Sequence, residues 1–432
     1  MIGDDNSMIK LLVVADDFTG AQDTGVKFSQ KGISTIVTTK LSIDWSVYGD
    51  ETEVLVIDTE SRHISKEEAA ERVYESVKHA VRNGVEYIYK KTDSTLRGNI
   101  GAELEACMKA AECDNIMFMP AYPQTGRTTV KGSQYLNGVP LNETVFSRDP
   151  LEPIDTAYIP DIIAKQSNIK VISLSYDDLH DNKRDINEKN CIYVFDSSSI
   201  DDLENIGAYL NNEKRIKVTA GCAGFAEILS DIISFNRSEL KPEKKEGYTF
   251  TVCGSVNKVS AKQIEYAVQH GYTLIPLYPE QILNQDYFAQ QEGRNLLNSI
   301  LSAIKNNNKI IIKTEGRTEN SDKFIEYAEE KGIPKERLHE RISECLGNLT
   351  AEIMRQVNIG NIIVFGGDTA LGIMNAISCE GAIVKKEITA GVPISEIISN
   401  EQHMNLITKA GGFGEEDILP KIEDYINKLK KL

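Results

Sequence analysis

The sequence predicts an α/β protein of two domains, each a mostly parallel sheet flanked by helices, with a ligand cleft between them. Three observations carry this expectation. Short β-branched runs alternate with amphipathic stretches along most of the chain, the pattern of βαβ units. At 432 residues the chain exceeds what one hydrophobic core usually organises. A polar, charged stretch near 237–247, RSELKPEKKEGY, separates an apolar helix at about 222–235 from a fresh strand, as a domain boundary does. The expected domains are 1–240 and 247–432.

In the first half, LLVVA (11–15) precedes a helix at 21–31, EVLVID (53–58) a helix at 65–82, and YIYKKT (87–92) a helix at 99–112; NIMFMPA (115–121) follows. The segment 125–153, TGRTTVKGSQYLNGVPLNETVFSRDPLEP, breaks the rhythm. Its Gly, Pro, Asn and Thr content suits a hairpin and an extended loop inserted into the domain. The second half resumes the alternation with YTFTVCGS (248–255), a helix at 259–270, TLIPLY (273–278), a helix at 290–306 and KIIIKT (309–314). Helices at 321–331 and 343–357, the strand NIIVFGG (361–367), a helix at 369–378, NLITKAGGFG (405–414) and the amphipathic ILPKIEDYINKLKKL complete it.

Bulk composition narrows the function. A formal charge of −17 repels a phosphate backbone or an anionic membrane, so neither nucleic acid nor membrane is an expected partner. A small anion remains open where Lys, Arg and backbone N–H groups converge. Seven cysteines, an odd number with no C-x-x-C pair and no zinc spacing, read as buried reduced thiols. No apolar run approaches the roughly 18 residues of a membrane span. The N-terminal MIGDDNSMIK lacks the basic and apolar regions of a secretory signal, so cytoplasm is the expected compartment.

Three places in the second half share a buried strand followed by glycine and small polar residues: TVCGSVNKVS (251–260), IVFGGDTALG (363–372) and ITKAGGFG (407–414). Glycine permits close backbone approach, and a following helix offers unpaired N–H groups, so such loops suit phosphate. One loop alone reads equally as a turn with Asp368 or Thr369 capping the next helix. Three loops after strands point to a nucleotide, because strand carboxyl ends in an open parallel sheet share one edge. Neither a P-loop nor a complete G-x-G-x-x-G is present, and GGFGEED carries Asp417 where the last glycine of that fingerprint belongs, which disfavours a dinucleotide oxidoreductase.

The first half holds ADDFTGAQD (15–23), DTESRH (58–63) and KKTDSTLRG (90–98), each again after a strand. Lys90, Lys91, Arg62 and Arg97 offer cationic contacts to a carboxylate, and Asp16, Asp17 and Asp93 accept hydrogen bonds from hydroxyls, the two needs of a polyhydroxy acid. The bland readings are that Arg62 pairs with Glu60 and that Ser94 or Thr95 caps a helix near Gly98. So many charges at sheet ends are expensive unless paired or liganded. His63 reads as structural or substrate-contacting.

These stretches, with PAYPQTGRTTVKGSQYLNGVPLNETVFSRDPL, TAGCAGFAE, CGSVNKVSAKQI, GGDTA and ITAGVPIS…TKAGGFG, resemble the four-carbon acid sugar kinases in order from about residue 10 to 419. The resemblance implies an N-terminal sugar-acid-binding domain and a C-terminal nucleotide-binding domain, with ATP and Mg²⁺ phosphorylating the 4-hydroxyl of a tetronic acid. It implies substrate contacts from Asp17, Arg62, Lys91, Thr92, Asp93 and Ser94. It implies ATP contacts from Ser255, Gly366, Gly367, Asp368, Thr369, Gly411, Gly412 and Gly414; the metal ligands stay unassigned. ADDFTGAQDTG and KTDSTLRG resemble the D-threonate branch, with D-erythronate or 3-oxo-tetronate as alternative acids and Gln22 departing from the usual Asn. Asp17 is the expected general base and Asp93 the second choice, while Arg62 and Lys91 would hold the acid's carboxylate. A sugar acid and ATP are the expected partners, in a monomer or homodimer. A non-catalytic sensor of the same ligands is the remaining reading.

Overall fold

Strand β1 (Leu11–Ala15) is buried over its whole length, which is why LLVVA is continuously apolar instead of alternating. The computed structural model describes residues 9–48, 51–149, 152–175, 178, 186–316, 323–399 and 403–429. Within them the chain divides into two units, Met1–Leu240 and Lys241–Leu432. Both are α/β, as the alternation of runs predicts.

In the first unit, β1 is joined by β2 (Thr35–Thr38), β3 (Val54–Asp58), β4 (Tyr87–Lys91), β5 (Asn115–Met119), β9 (Lys170–Leu174), β10 (Cys191–Phe195) and β11 (Val218–Gly221). Their order is β2-β3-β1-β4-β11-β5-β10-β9, with every neighbouring pair parallel. The chain moves to one side of β1 for β2 and β3 and to the other for β4. Such a switch point opens a crevice at the strands' carboxyl ends, where ligands of open α/β sheets bind. The register pairs Ala15 with Asp58 and Val14 with Lys90, so the residues following the three strands stand at one level.

The predicted insertion forms a small antiparallel sheet of β6 (Arg127–Val130), β7 (Ser133–Leu136) and β8 (Val139–Pro140), then two 3-10 turns. Its Pro150 and Leu151 lie outside the described residues, as do residues 1–8 of the N-terminal stretch.

In the second unit, β12 (Tyr248–Cys253), β13 (Thr273–Leu277), β14 (Ile310–Thr314), β15 (Ile359–Phe365) and β18 (Asn405–Lys409) are parallel. The antiparallel β16 (Gly381–Thr389) and β17 (Val392–Ile398) extend them, in the order β13-β14-β12-β15-β18-β17-β16. Register pairs Cys253 with Phe365 and Phe365 with Lys409, so the three glycine loops start side by side. Ile264, Ile363, Phe365, Ile394, Ile407 and Ile422 belong to the core packed against this sheet.

Several boundaries differ from expectation. The first helix is Phe18–Ser29, starting before the expected 21, because Asp17 caps it by accepting from Gly20 N at 3.0 Å. The helix expected at 343–357 is Leu338–Gln356, and the one expected at 369–378 is Gly367–Ala376. Of the helix expected at 321–331, residues 321 and 322 lie outside the described residues and Lys323–Glu330 is helical. The C-terminal helix is Ile418–Lys428, with 430–432 outside the described residues. All seven cysteines are free; Cys113 and Cys345 are half-buried and the other five buried.

Candidate active site

The first polar cluster gathers at the carboxyl ends of β3, β1 and β4. Asp16 and Asp17 follow β1, Arg62 lies in the turn after β3, and Lys91 to Asp93 close β4. Arg62 is the hub. Its Nε donates to Asp16 Oδ2 at 2.8 Å, and its two terminal nitrogens reach Asp17 at 2.9 and 2.8 Å. The alternative pairing with Glu60 is not what forms. Arg62 and Asp16 are both more than nine-tenths buried, so the fork is desolvated where it meets Asp16; it reaches both carboxylates but leaves the buried Asp16 Oδ1 without a hydrogen-bond partner among the described residues. Burial alone would raise the Asp16 carboxyl. The charges of Arg62, Lys90 and Lys91 overcome it and hold Asp16 below the usual carboxylate value.

Lys90 and Lys91 take opposite sides of β4. Lys90 is fully buried, with Nζ 2.8 Å from Glu103 Oε2 in the helix Ile100–Ala110. That contact corrects the sequence reading of Lys90 as a ligand cation, since it already has an internal carboxylate. Lys91 Nζ donates to Thr92 O at 2.9 Å and has no carboxylate within ion-pair distance among the described residues. It points toward Gly20. A Cβ at that position would stand 2.7 Å from Lys91 Nζ and 2.5 Å from Asp17 Oδ1, so only glycine lets the first helix approach both groups.

Asp93 is engaged otherwise. Its Oδ2 accepts from Thr95 Oγ1 at 2.5 Å and from Arg97 Nε at 2.7 Å. Burial opposes its ionisation, but Arg62 and Arg97 hold its carboxyl far below the usual range. Arg97 also pairs with Asp149 at 3.1 Å and lies over the Phe146 ring at 5.2 Å, so the insertion buttresses this loop. Gln134, also from the insertion, donates to Ser94 O at 3.0 Å. Neither Ser94 nor Thr95 caps the next helix. Asn99 precedes it and ties the SRH turn by donating to Ser61 O at 2.8 Å and Ile64 O at 3.0 Å. Thr92 Oγ1 is buried with no hydrogen-bond partner among the described residues. Asp58, the first residue of DTESRH, is fully buried. Burial first, then the negative charges of Asp17, Glu60 and Asp16, push its carboxyl well above the usual range.

The second cluster lies on β12, β15 and β18. Gly366 has φ +111, a conformation that side-chain-bearing residues rarely adopt, and begins the helix Gly367–Ala376. Gly254 faces Thr369, whose Oγ1 stands 2.3 Å from where a Cβ would be. Ser255, Gly366, Gly367, Gly411 and Gly414 are half-buried, Asp368 and Gly412 exposed, and Thr369 buried. Asp368 sits in the helix's first turn, with His339 Nδ1 3.9 Å away. The loop 411–414 is pinned from below. Gln263 Nε2 donates to Phe413 O, Gly414 O and Glu415 O at 3.0, 2.7 and 3.1 Å. Lys409 Nζ donates to Gly411 O and Ser260 Oγ, both at 2.9 Å. Sequence reasoning missed both posts, although the lysine closing β18 just before a glycine run was a readable signal. Backbone N–H groups at a helix start beside a left-handed glycine form a cradle suited to phosphate oxygens.

Residues 11–229 match the model of a sugar-binding N-terminal domain, and 250–419 match a nucleotide-binding C-terminal domain. The D-threonate kinase of Salmonella typhimurium is 31% identical over 98% of this chain and 99% of its own. The chain belongs to the four-carbon acid sugar kinase family. The D-erythronate kinase of Heliobacterium modesticaldum is 27% identical over 97% of each chain, and a 3-oxo-tetronate kinase of Cupriavidus necator 25% over 94%. Among solved structures, a Salmonella typhimurium LT2 protein superposes with a TM-score of 0.80 at 20% identity, covering 96% of this chain and 99% of that one. Haemophilus influenzae protein HI1011 gives 0.71 at 21% identity, covering 96% and 100%. These two establish shared fold. No described helix is long and apolar enough to cross a membrane.

Proposed function

We propose that the protein transfers the γ-phosphoryl group of ATP to the 4-hydroxyl of a four-carbon sugar acid, D-threonate or D-erythronate, with a 3-oxo-tetronate as the alternative acceptor. One observation carries the reading: in each unit all three motif loops fall on adjacent strand carboxyl ends, polar and charged on β3-β1-β4 and glycine-rich on β12-β15-β18. Residues 1–240 would bind the acid and 247–432 the nucleotide.

Lys91 is the cation that would grip the acid's carboxylate, because Lys90 is matched by Glu103 and Arg62 by Asp16 and Asp17. Arg62 serves chiefly by fixing Asp17. Asp17, with a side chain 27% exposed, is the proposed base for the acceptor hydroxyl. Asp93 would serve as the positioning group of the KTDS loop, since a carboxyl held so low and already bonded to Thr95 and Arg97 accepts a proton poorly. Thr92 and Ser94 complete the acid's contacts.

The glycine loops fit a polyphosphate, with Ser255, Gly366, Gly367, Thr369, Gly411, Gly412 and Gly414 supplying hydrogen bonds. In this reading Mg²⁺ would be held mainly by phosphate oxygens, with Asp368, exposed in the first turn of the helix Gly367–Ala376, as the candidate carboxylate. When bound, Mg²⁺ supplies neutralisation of phosphate charge. The remaining demand on the protein is alignment of acceptor and donor.

A coupled assay of ADP release across D-threonate, D-erythronate, L-threonate and 3-oxo-tetronates tests the reading. Turnover with one of these acids supports it. Absence of turnover with all of them, together with tight acid and nucleotide binding, would favour the sensor reading.

A further inference from the structure

Lys409 is 1% exposed, yet no carboxylate lies within ion-pair distance of it among the described residues. The groups that face it are the Cys253 thiol from β12, the Phe365 ring from β15 with its centroid 5.0 Å from Nζ, and Ser260 from the helix Lys258–Gln269. Burial pushes that thiol up to about 11, so it stays neutral at pH 7. Lys313, on neighbouring β14, is paired with Glu315. A buried ammonium without a counter-charge is costly, and proteins keep one where a ligand's charge offsets it.

We propose that Lys409 is a positioning residue for nucleotide phosphate. It pins Gly411 and Ser260 from beneath while placing a fixed positive charge under the three glycine loops, to be neutralised when the polyphosphate arrives. The inference rests on the proposed nucleotide site and assigns it a buried charge: Gly254, Ser255, Gly366, Gly367 and Gly411 to Gly414 carry no cation, and Lys258, at the end of the first loop, is exposed. Burial lowers the Lys409 ammonium to about 8, so its charge is lost within an accessible pH range.

The experiment compares wild type, K409M and K409R by calorimetric binding of ADP and of adenosine at pH 7 and pH 9, with melting curves of the ligand-free proteins. K409M should weaken ADP binding roughly 10- to 100-fold while leaving adenosine unchanged, since a buried charge at an effective dielectric near 20 acts on phosphate over several ångström. K409R should recover much of the ADP affinity. Wild-type ADP affinity should fall between pH 7 and 9, and that fall should vanish in K409M. Ligand-free K409M should melt at or above wild type at pH 7, because methionine fills the space without a charge and Ser260 Oγ still reaches Gly411 O at 3.3 Å.

Equal ADP affinity in K409M and wild type would overturn the proposal and leave the nucleotide site standing. A K409M in which ADP and adenosine binding weaken alike, with a melting point well below wild type, would also overturn it, by making Lys409 a structural post only. Failure of the wild type to bind ADP at all would overturn the nucleotide site itself.

Discussion

Arg62→Ala should unfold the first unit more readily before it does anything else. The guanidinium is the shared partner of two carboxylates whose side chains are 2% and 27% exposed, and it is itself 9% exposed. Removing one member of a buried ion pair leaves uncompensated charge and costs about 3–5 kcal/mol. For a unit of this size each kcal/mol shifts the melting point by about 2–4 °C, so a fall of roughly 6–20 °C is expected. The pH dependence identifies the cause. In the wild type Asp16 is held below the usual carboxylate value, so its contribution is present above that value and is lost as pH falls through the lower folded one. In R62A the same buried carboxyl rises above its unfolded value, so the deficit against wild type is largest at pH 7 and shrinks toward pH 4. Melting curves at both pH values measure it, and R62A with Asp16→Asn should recover part of the loss. A melting point within about 2 °C of wild type at pH 7 would refute the argument that Arg62 is the counter-charge of this edge.

Further outcomes separate the roles of the neighbouring groups. Asp17→Asn retains an oxygen to cap Gly20 N, so the protein should fold while kcat drops about 100-fold or more; Asp93→Asn should lower the melting point with a smaller effect on kcat, and the reverse ranking would move the base to Asp93. Lys91→Met should raise KM for the sugar acid roughly 10- to 150-fold, the loss of one charge-assisted contact, with KM for ATP unchanged. An unchanged acid KM would remove Lys91 from the site. Gly20→Ala gains helix propensity but drives a Cβ into Asp17 and Lys91, so activity should fall sharply even if thermal stability changes by only about 1 kcal/mol; full activity would show that both side chains give way freely.

The strands and their polar ends are legible in the sequence because buried parallel strands are continuously apolar and stop abruptly at polar residues or glycine. LLVVA ending in Asp16 and Asp17, and NIIVF ending in Gly366, are read correctly for that reason. What pairs with what is not legible. Lys90 and Lys91 are adjacent, and the two-residue period of a strand sends them to opposite faces, one to Glu103 and one toward Gly20. No local pattern names Glu103, a partner on a helix whose burial comes from tertiary packing. Arg62 sits two residues from Glu60, but the turn after β3 hands it to Asp16 and Asp17 instead. The strand β10 lies between motifs and goes unread, whereas β11 and the β16–β17 hairpin overlap TAGCAGFAE and ITAGVPIS but go unread as strands, since VTAG is short and GAIVKKEIT sets Lys385, Lys386 and Glu387 where a buried parallel strand would be continuously apolar. Lys409 reads as an ordinary cation at a strand end; its depth becomes visible only when Cys253, Phe365 and Ser260 enclose it.

The charged edge of the first unit draws Asp16, Asp17, Asp58, Arg62, Lys91, Asp93 and Arg97 from one uninterrupted stretch, buttressed by Gln134 and Asp149 a little further on. The glycine loops do not begin until Gly254. A single recombination event between these blocks would exchange one half of the chemistry whole, without splitting any of its internal ion pairs. On the proposed function, inheritance could therefore vary the acceptor site while the donor site is passed on untouched.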